Sequence, residues 1–545
     1  MSRRVSEIAV VVSLLCFSSV VRAEVPYVVW EMHGTQAAEE FGCEAANVGD
    51  VNGDGYADLL VGAYRLDLDG FGRGHLYFGG AEFDTIADVI FVSEELGDGY
   101  AESLAGAGDL NDDGFSDMMI GAPANDEGGG GAGKVYIYFG GEVVDSLTDV
   151  GIHGYGGGFA SRLAGCGDVN MDGYDDIVIG AYGAGGGEGE AYVYFGGSPM
   201  DTLVGLYLEP GGPHDAFGLG VCGGEDVNGD GFADIVVGDP HYSTGRAYVY
   251  FGGPLLDPWP DLVLQGEDMN SHFGFDMAMC DLDNEAGAEI IVAAYMWSSD
   301  NGRVYVYRGG EALDAIPDLK ITGQEANQRL GGGIVAGVDL NCDGCRDLCV
   351  WASYPDRCLI HMGESRMDRV EEVVVVSPGA WGDCFGSGRA LFSSSDSLTG
   401  DGIPDLVIGA SGSHVQGMYW AGKVYFFSLF DAPVELLDSW PDARRVPAGG
   451  QLGYTVVGTA PPPERETCLV WSEVLKPDGF WYEGNPLWGP LERTVAAGDT
   501  VTVELTQRIP YATPPGQYSW TVRVGSVYPD SVWDSSSFEF KVVEP

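Results

Sequence analysis

One nine-residue phrase returns along most of the chain at nearly constant spacing. Its first copy runs Asp50-Val-Asn52-Gly-Asp54-Gly55-Tyr56-Ala-Asp58, and further full copies begin at Asp109, Asp168, Asp226 and Asp339. Weakened copies begin at Asp281 and Ser397, so the seven starts lie 59, 59, 58, 55, 58 and 58 residues apart. A fixed period of this length is typical of one supersecondary unit built seven times.

Each unit reads as four short strands separated by turn residues. In the first unit a short apolar segment leads into the phrase, and Leu59–Ala63, His75–Gly80 and Asp88–Val92 follow it. These runs are bounded by glycine and aspartate and show no helical period. Four strands in each of seven units predict an all-β chain whose main domain is a seven-bladed β-propeller, which leaves only short, protected sheet edges.

The seventh unit lacks a fourth strand of its own. Its third strand, Lys423–Phe427, is followed from Asp431 by sequence without the period. A spare strand-like segment, Tyr27–Gly34, precedes the first unit. We therefore predict that this N-terminal segment completes the last blade and closes the ring.

The repeated phrase has the composition of a calcium loop. Calcium prefers six to eight oxygen ligands, several of them charged. Side chains at positions 1, 3, 5 and 9 and the carbonyl at position 7 provide such ligands, and position 6 is glycine in all five full copies, as suits a left-handed turn. Asp-Gly also forms good hairpin turns, but a turn alone does not require acids at positions 1, 5 and 9. No histidine or cysteine recurs, so zinc and copper are not expected.

We number these acid loops one to seven in chain order. The predicted calcium ligands of loops one to four and six are Asp50, Asn52, Asp54, Tyr56 and Asp58; Asp109, Asn111, Asp113, Phe115 and Asp117; Asp168, Asn170, Asp172, Tyr174 and Asp176; Asp226, Asn228, Asp230, Phe232 and Asp234; and Asp339, Asn341, Asp343, Cys345 and Asp347. Loop five offers Asp281, Asp283, Glu285 and Glu289, but Ala286 replaces the turn glycine. Loop seven is a low-charge set that holds calcium weakly or not at all: Ser397, Thr399, Asp401 and Asp405.

The units resemble FG-GAP repeats, the propeller repeats of integrin alpha subunits and of many exported bacterial proteins. The Phe-Gly half is present at Phe41-Gly42, Phe217-Gly218, Phe273-Gly274 and Phe385-Gly386, with near matches at Phe159-Ala160 and Leu330-Gly331. The Gly-Ala-Pro half is present at Gly121-Ala122-Pro123, with near matches at Gly62-Ala63-Tyr64, Gly180-Ala181-Tyr182 and Gly238-Asp239-Pro240. The resemblance covers residues 27–428 and implies a calcium-binding propeller, although the family's biological roles are broad.

The resemblance also implies a ligand face. In integrin-like propellers the calcium loops lie on one side, and ligands meet the opposite side, built from the loops between strands two and three and the loops that link blades. In this chain those loops vary from unit to unit and carry Tyr64, Tyr155, Tyr182, Tyr295, Trp297, Trp381, Tyr419 and Trp420. Exposed aromatic side chains on rigid loops suit sugar stacking or protein contact. The alternative is that half or more of them pack on neighbouring blades.

Cysteines fall into two groups. Cys43, Cys166, Cys222 and Cys280 precede an acid loop in four different units, where they read as small buried apolar residues. Unit six has a cluster of four, Cys342, Cys345, Cys349 and Cys358. Its spacing resembles zinc ligand patterns only loosely, and disulfides in an exported domain are the simpler interpretation. Cys349 and Cys358 flank a short turn and could face each other across a hairpin.

The two ends of the chain predict export and a second domain. Arg3 and Arg4 precede the apolar run from Ile8 to Val21, which is typical of a signal peptide over residues 1–23 and too short for a membrane span. The propeller is expected over residues 24–430. Residues 431–545 show alternating strand patterns between Pro- and Gly-rich turns, which predict an immunoglobulin-like β-sandwich. The absence of an Asn-x-Ser/Thr acceptor favours a bacterial source.

Charge and missing motifs limit the function classes. The formal net charge is −57, with 26 basic against 83 acidic residues, so nucleic acid and anionic membrane surfaces are not expected partners. No nucleophile elbow, His-Glu-x-x-His motif or P-loop is present. The sequence therefore favours a secreted or cell-surface calcium-binding module that adheres to extracellular proteins or glycans. The alternatives are a propeller lyase or hydrolase that acts on polysaccharide and a purely structural surface protein.

Overall fold

The structure is a computed structural model. It describes residues 27–428 except 36–37, 65–69, 81–82, 341–343, 354–355, 364–372, 379–383, 387–390, 394–397, 400–403 and 416–417, and beyond them the backbone of eight strands. The predicted signal peptide lies outside the described residues. The chain divides into two compact units, Met1–Leu429 and Phe430–Pro545.

The first unit consists of seven four-stranded antiparallel sheets, so the predicted all-β seven-bladed propeller is confirmed. Blades one and two contain β2 (Ala45–Asn47), β3 (Leu59–Ala63), β4 (Arg73–Tyr77) and β5 (Val89–Val92), then β6 (Ser103–Gly108), β7 (Asp117–Ala122), β8 (Lys134–Tyr138) and β9 (Val150–His153). Blades three and four contain β10 (Arg162–Gly167), β11 (Asp176–Ala181), β12 (Glu190–Tyr194) and β13 (Leu206–Leu208), then β14 (Gly220–Gly223), β15 (Ile235–Asp239), β16 (Arg246–Tyr250) and β17 (Leu262–Gln265).

The remaining blades follow the same order. Blades five and six contain β18 (Phe273–Cys280), β19 (Glu289–Ala294), β20 (Arg303–Tyr307) and β21 (Leu319–Thr322), then β22 (Ile334–Val338), β23 (Asp347–Ser353), β24 (Asp356–His361) and β25 (Val373–Val376). Blade seven contains β26 (Leu391–Ser393), β27 (Leu406–Ala410), β28 (Lys423–Ser428) and the N-terminal strand β1 (Tyr27–His33). Two short helices interrupt the described loops, a 3₁₀ turn at Ala184–Gly186 and an α-helical turn, α1, at Trp297–Asp300.

The N-terminal strand closes the ring as predicted. β1 pairs antiparallel with β28, with Tyr27 opposite Ser428 and His33 opposite Lys423. Lys423 Nζ also lies 2.5 Å from Glu31 Oε1. The innermost strands of successive blades contact one another around the ring, and β2 of blade one contacts β26 of blade seven.

The core lies between neighbouring blades. The central strands β3, β7, β11, β15 and β19 are buried along their whole length. The third strands add fully buried tyrosines, including Tyr136, Tyr192, Tyr248 and Tyr305. Each such side chain removes a large apolar surface from water, which stabilises the fold by about 1.5–3 kcal/mol.

Glycines allow the blades to approach closely. A Cβ atom placed on Gly62, Gly121, Gly180 or Gly238 would lie only 2.6, 2.4, 2.0 or 1.9 Å from a carbonyl oxygen of the next blade. Those oxygens belong to Ala101, Ala160, Gly218 and Gly274, which have φ angles of 66°, 68°, 84° and 87°. The second-strand glycine and the left-handed residue therefore form the two sides of one backbone contact between blades. In blade two the pair before β6 is Tyr100-Ala101, which sequence reasoning missed.

The second unit contains two sheets. The first has three strands, in the order β29 (Glu435–Pro441), β31 (Gln451–Thr459) and β34 (Thr500–Arg508). The second has five, in the order β30 (Arg445–Pro447), β36 (Asp534–Val543), β35 (Gly516–Gly525), β32 (Glu466–Leu475) and β33 (Trp488–Val495). The two sheets agree with the predicted strand-rich tail, while the immunoglobulin-like sandwich stays a prediction.

Candidate metal loops and the opposite face

The acid loops of all seven blades lie at one end of the blades. Each connects the first strand of a blade to the second, as loop one connects β2 to β3. Because neighbouring strands run antiparallel, the connections from the third strand to the fourth lie at this same end. The connections from the second strand to the third, and those between blades, lie at the opposite end. We call the two sides the acid-loop end and the opposite end.

Position 1 of the phrase organises the loop backbone. In loop one, Asp50 Oδ1 accepts hydrogen bonds from the amides of Gly53 and Asp54 at 2.7 and 3.0 Å, and its Oδ2 accepts one from Gly55 at 2.8 Å. The bond from the position 6 amide to position 1 recurs in loops two, three, four and six at 2.8, 2.9, 2.7 and 2.7 Å. The position 6 glycines have φ angles between 92° and 97°, as predicted for a left-handed turn.

Position 9 is buried and ties the loop to its blade. Asp58 Oδ2 accepts a hydrogen bond from the Val51 amide at 2.9 Å, and its Oδ1 accepts one from the Gly79 amide at 2.8 Å. Asp117, Asp176, Asp234 and Asp347 make the same pair of bonds, at distances between 2.7 and 3.1 Å. Position 9 therefore also has a structural role, which the sequence interpretation did not include.

Burial works against the charge on these carboxylates. It raises the pKa of Asp58, Asp117 and Asp176 to about 7 and that of Asp234 to about 6, and the backbone amides that donate to them oppose only part of that rise. Acids at positions 1 and 5 raise these pKa values further. A cation in the loop would offset this cost, because an opposite charge nearby favours the ionised carboxylate.

Position 3 provides the clearest test of whether a cation fits. Asn52 and Asn228 accept a hydrogen bond from the position 5 amide at 2.8 Å in loops one and four. In loops two and three, Asn111 Oδ1 and Asn170 Oδ1 are buried and have no hydrogen-bond partner. A buried amide oxygen without a partner is costly. An oxygen ligand to a hard cation would remove that cost, so the residues present fit calcium.

Position 4 is also left-handed, which the sequence interpretation overlooked. Its φ angle is 76° at Gly53 and 79° at Gly229, but 58° at Asp112 and 63° at Met171. Only glycine adopts this region without steric cost. The glycines at position 4 of loops one and four were the available signal.

Loop five differs from the first four. Its turn glycine is Gly287, one place later than in the other loops, with a φ angle of 92°. Ligand oxygens of Asp281, Asp283 and Glu289 lie within 4.8 Å of one another, a group that could hold a metal ion. Arg308 Nη2 lies 3.2 Å from Asp283 Oδ2. The fourth predicted ligand, Glu285, donates its backbone amide to Asp283 Oδ1 at 3.1 Å.

Loops six and seven are described in part. In loop six, Asp339 and Asp347 keep the bonds of positions 1 and 9, Cys345 is half-buried, and Asn341 and Asp343 lie outside the described residues. In loop seven, Asp405 accepts a hydrogen bond from the Thr399 amide at 3.0 Å, and Ser397 and Asp401 are not among the described residues.

A cleft that sequence reasoning missed lies beside loop two. Its volume is about 540 Å³, and loop two contributes Asn111 and Asp113. The rest of the lining comes from the start of β9 and from the connections between the third and fourth strands of blades two and three, including Phe139, Pro199 and Met200. The cleft therefore opens at the acid-loop end, with both carboxylate and apolar walls.

The eight aromatic residues predicted for the ligand face divide into groups. Tyr155, Tyr182, Tyr419 and Trp420 are exposed, whereas Tyr64, Tyr295 and Trp297 are half-buried and Trp381 lies outside the described residues. The Arg303 guanidinium lies 3.4 Å from the centre of the Trp297 ring, which also packs against the core of blades four and five. Tyr295 packs against Phe275 and His272, at ring distances of 4.5 and 5.2 Å. Trp297 and Tyr295 therefore have packing roles.

The exposed aromatic residues lie on loops that the backbone holds in place. The carbonyls of Tyr419 and Trp420 accept hydrogen bonds from the amides of Ala38 and Glu40 at 2.8 and 3.0 Å. In blade three, the Gly183 amide donates to the Gly157 carbonyl at 2.7 Å and so joins the loop of Tyr182 to the loop of Tyr155. Both pairs are presented to solvent on ordered backbone at the opposite end.

In the part of the chain that the structure describes, the cysteines are thiols and form no disulfide bond. Cys166 and Cys280 are buried, and Cys43 and Cys222 are half-buried. Cys349 and Cys358 are buried neighbours on β23 and β24, and the hydrogen bond between their side chains raises the pKa of the Cys349 thiol. Cys342 lies outside the described residues, so the zinc and disulfide interpretations of this cluster stay predictions.

Comparison with known proteins finds a repeat family whose matches fall on the first four blades. The FG-GAP repeat family model matches residues 44–77, 100–138, 159–194 and 217–250. Integrin alpha-IIb of Homo sapiens is 33% identical over 228 residues, which cover 38% of this chain and 21% of that protein. Integrin alpha-IIb of Mus musculus is 36% identical over 227 residues, with the same coverage. The chain thus spans about a fifth of the length of these relatives.

Two further similarities are narrower. Phosphatidylinositol-glycan-specific phospholipase D of Rattus norvegicus is 31% identical over 154 residues, which cover 25% of this chain and 18% of that protein. A structure of Pseudomonas fluorescens alkylpurine DNA glycosylase AlkC bound to DNA aligns with a TM-score of 0.17 and 17% identity over 21% of this chain and 31% of that chain. That TM-score is too low to support a comparison of fold or function. Within the described residues, no helix has the length and apolar character needed to cross a membrane.

Proposed function

Because the chain is an FG-GAP repeat protein with an integrin-alpha-like seven-bladed propeller, we propose that it is an exported, calcium-stabilised module that binds an extracellular protein or glycan. The observation that carries the proposal is the repetition of one hydrogen-bonded acid loop in successive blades. Loops one to four share their position 1 and position 9 bonds. Such uniformity is expected where every loop holds the same ion.

Calcium would be bound by oxygen atoms of positions 1, 3, 5, 7 and 9. In loop two these are the side chains of Asp109, Asn111, Asp113 and Asp117 and the carbonyl of Phe115. The ion would neutralise carboxylates that otherwise repel one another in a chain with a net charge of −57. Because it binds the folded loop and not the unfolded chain, it stabilises the native state by mass action.

Ligand binding is assigned to the opposite end. Tyr155, Tyr182, Tyr419 and Trp420 are exposed there on loops held by backbone hydrogen bonds. Rigid exposed aromatic side chains bind with a small loss of conformational entropy. The similarity to integrins is consistent with adhesion, and the partial similarity to the rat phospholipase D leaves an enzymatic role, including one on polysaccharide, as the second candidate.

The test measures binding and melting temperature with and without calcium, and with substitutions at each end of the blades. The chain is screened against glycan and extracellular-matrix protein arrays in calcium and in chelator, and its melting temperature is measured in both. We expect binding in calcium, a lower melting temperature in chelator, and a loss of binding of about tenfold or more for the double variant Tyr419→Ala and Trp420→Ala. The melting temperature of this variant in calcium should stay close to that of the wild type.

A matched variant distinguishes the two ends. Thr202→Trp changes the exposed rim of the loop-two cleft and should leave binding unchanged. If Thr202→Trp abolishes binding and the aromatic double variant does not, the binding site is the cleft.

Identical melting curves in calcium and chelator, with no metal in the purified protein, would overturn the calcium assignment. Cleavage of a polysaccharide, a glycan-linked lipid or another arrayed ligand would replace the binding role with the enzymatic one.

A further inference from the structure

Blade five carries a charged residue where the first four blades carry an aromatic one. The residue after the third strand is Phe78, Phe139, Phe195 and Phe251 in blades one to four and Arg308 in blade five. The backbone position is equivalent, because the amide donates to an aspartate ten residues later in blades one, two, four and five, at 2.8, 2.9, 2.9 and 2.9 Å. Only the side chain has changed.

The Arg308 side chain reaches the acid loop of its own blade. Its Nη2 lies 3.2 Å from Asp283 Oδ2. Asp283 is only 5% exposed, and its carboxylate belongs to the group that also contains Asp281 and Glu289. A buried carboxylate without a countercharge is strongly destabilising. A guanidinium keeps its charge at every physiological pH and offers several donors in a fixed geometry.

Loop five also differs in sequence from loops one to four, in the same blade that carries Arg308. Position 3 is the acid Asp283, where loops one to four have asparagine, and position 6 is Ala286, where they have glycine. Gly287 lies against the segment that follows Arg308, since a Cβ atom on it would be 2.2 Å from the amide nitrogen of Gly310. The loop is therefore packed onto the segment that supplies the guanidinium, and it has gained a carboxylate for that guanidinium to pair with.

We propose that the Arg308 guanidinium is the resident cation of blade five and takes the place that calcium has in loops one to four. The inference rests on the proposed calcium-binding function. It assigns loop five as a loop that folds without a metal ion, although its acids are grouped closely enough to bind one. It also explains why the turn glycine of this loop could move by one residue.

The first experiment counts bound calcium with two matched substitutions at position 1. Asp109→Asn alters loop two, and Asp281→Asn alters loop five. Calcium per chain is measured by equilibrium dialysis with elemental analysis. We expect Asp109→Asn to bind one calcium fewer than the wild type and Asp281→Asn to bind the same number.

The number of calcium ions bound per chain distinguishes failure of this inference from failure of the proposed function. Loss of one calcium in Asp281→Asn, together with the same loss in Asp109→Asn, would overturn the inference and leave the calcium function intact. A wild-type chain that binds no calcium would overturn the calcium function and the inference with it.

The second experiment removes the guanidinium and needs no calcium count. Arg308→Gln leaves the buried Asp283 without its countercharge, so the melting temperature in chelator should fall by about 5 °C. Arg346→Gln is the matched control, since Arg346 is a similarly exposed arginine that pairs with Glu225 at 2.5 Å at the same end. The Arg346–Glu225 pair is more exposed than the Arg308–Asp283 pair, so the melting temperature of Arg346→Gln should fall by less. An Arg308→Gln variant that melts like the wild type in chelator would overturn the inference.

Discussion

The two ends of the blades are held together by different kinds of contact. At the acid-loop end, loops one to four share the hydrogen bonds of positions 1 and 9, and each loop is tied to its own blade through the buried carboxylate at position 9. At the opposite end, a second-strand glycine of one blade meets a backbone carbonyl of the next. The acid-loop end thus ties each loop to its own blade through a side chain, and it joins neighbouring blades through backbone bonds such as that from the Ser116 amide to the Asp50 carbonyl, at 3.0 Å. The opposite end joins neighbouring blades through the close approach of glycine to backbone.

The difference explains where variation is tolerated. A loop that places five oxygen ligands around one ion, as we propose for loops one to four, has little freedom, and those copies are alike. The contact between blades at the opposite end is made by a glycine and a backbone carbonyl beneath the loops, so the longer loops beside it are free to differ. Tyr155, Tyr182, Tyr419 and Trp420 all lie on such loops. Function is expected at the end where the scaffold leaves the side chains unconstrained.

The largest effect should come from the contact between blades. Gly238→Ala would place a Cβ atom 1.9 Å from the Gly274 carbonyl oxygen, so the two blades would have to move apart. We expect a loss of about 3 kcal/mol of unfolding free energy, measured by urea denaturation in calcium. Gly212→Ala is the control, because a Cβ atom there meets no atom within 4 Å. Equal stability of the two variants would show that the ring adapts easily.

An intermediate effect concerns pH and the acid-loop end. Burial raises the pKa of Asp58, Asp117 and Asp176 to about 7, whereas the pKa of aspartate in an unfolded chain is about 3.9. In chelator the folded protein therefore binds more protons than the unfolded chain between these values, and its stability falls as pH rises. Calcium held in these loops, as proposed, would favour the ionised carboxylates and oppose this loss of stability.

The measurement is the difference in melting temperature between calcium and chelator at pH 5, 6, 7 and 8. We expect the difference to widen as pH rises. Asp117→Asn, which removes one of the titrating groups, should reduce the widening. A difference that stays constant or narrows would contradict the assignment of a cation to these loops.

The smallest effect is confined to a single loop. Met171 is 69% exposed and has a φ angle of 63° at position 4, where loops one and four have glycine. Met171→Gly should therefore raise the unfolding free energy by about 1 kcal/mol, since the steric cost of the left-handed conformation disappears. Met269→Gly changes a similarly exposed methionine whose φ angle is not positive and should give no gain. A gain in both variants would point to loss of exposed apolar surface as the cause.

The sequence predicted the features that depend on local chemistry. The strands around Leu59–Ala63 follow from apolar runs between turn residues, and the left-handed glycine at position 6 follows from the Asp-Gly pair. Closure by Tyr27–His33 followed from counting strands, because a propeller blade with three strands leaves an open edge. Each of these inferences needed only neighbouring residues or the period.

Features that depend on contacts distant in the sequence were not predicted. Tyr100-Ala101 replaces a Phe-Gly pair without either of its residues, so its role is visible only from its contact with Gly62. Arg308 reaches Asp283 because two connections of one blade meet in space. The half-burial of Trp297 depends on Arg303 and on the core of blades four and five. Patterns along the chain specify which residue types occur, but not which partners cover them.

Closure by β1 has a consequence for the order in which the ring is made. The strand that completes blade seven is synthesised before the other strands of the propeller, yet its partner β28 is the last of them, with Glu31 and Lys423 separated by 392 residues. Until β28 has been synthesised, β1 has no strand to pair with, and blade seven lacks its outer strand. An open edge of this kind pairs readily with other chains. The growing chain therefore has its greatest need of a chaperone, or of isolation from other copies, before residue 428 has been made.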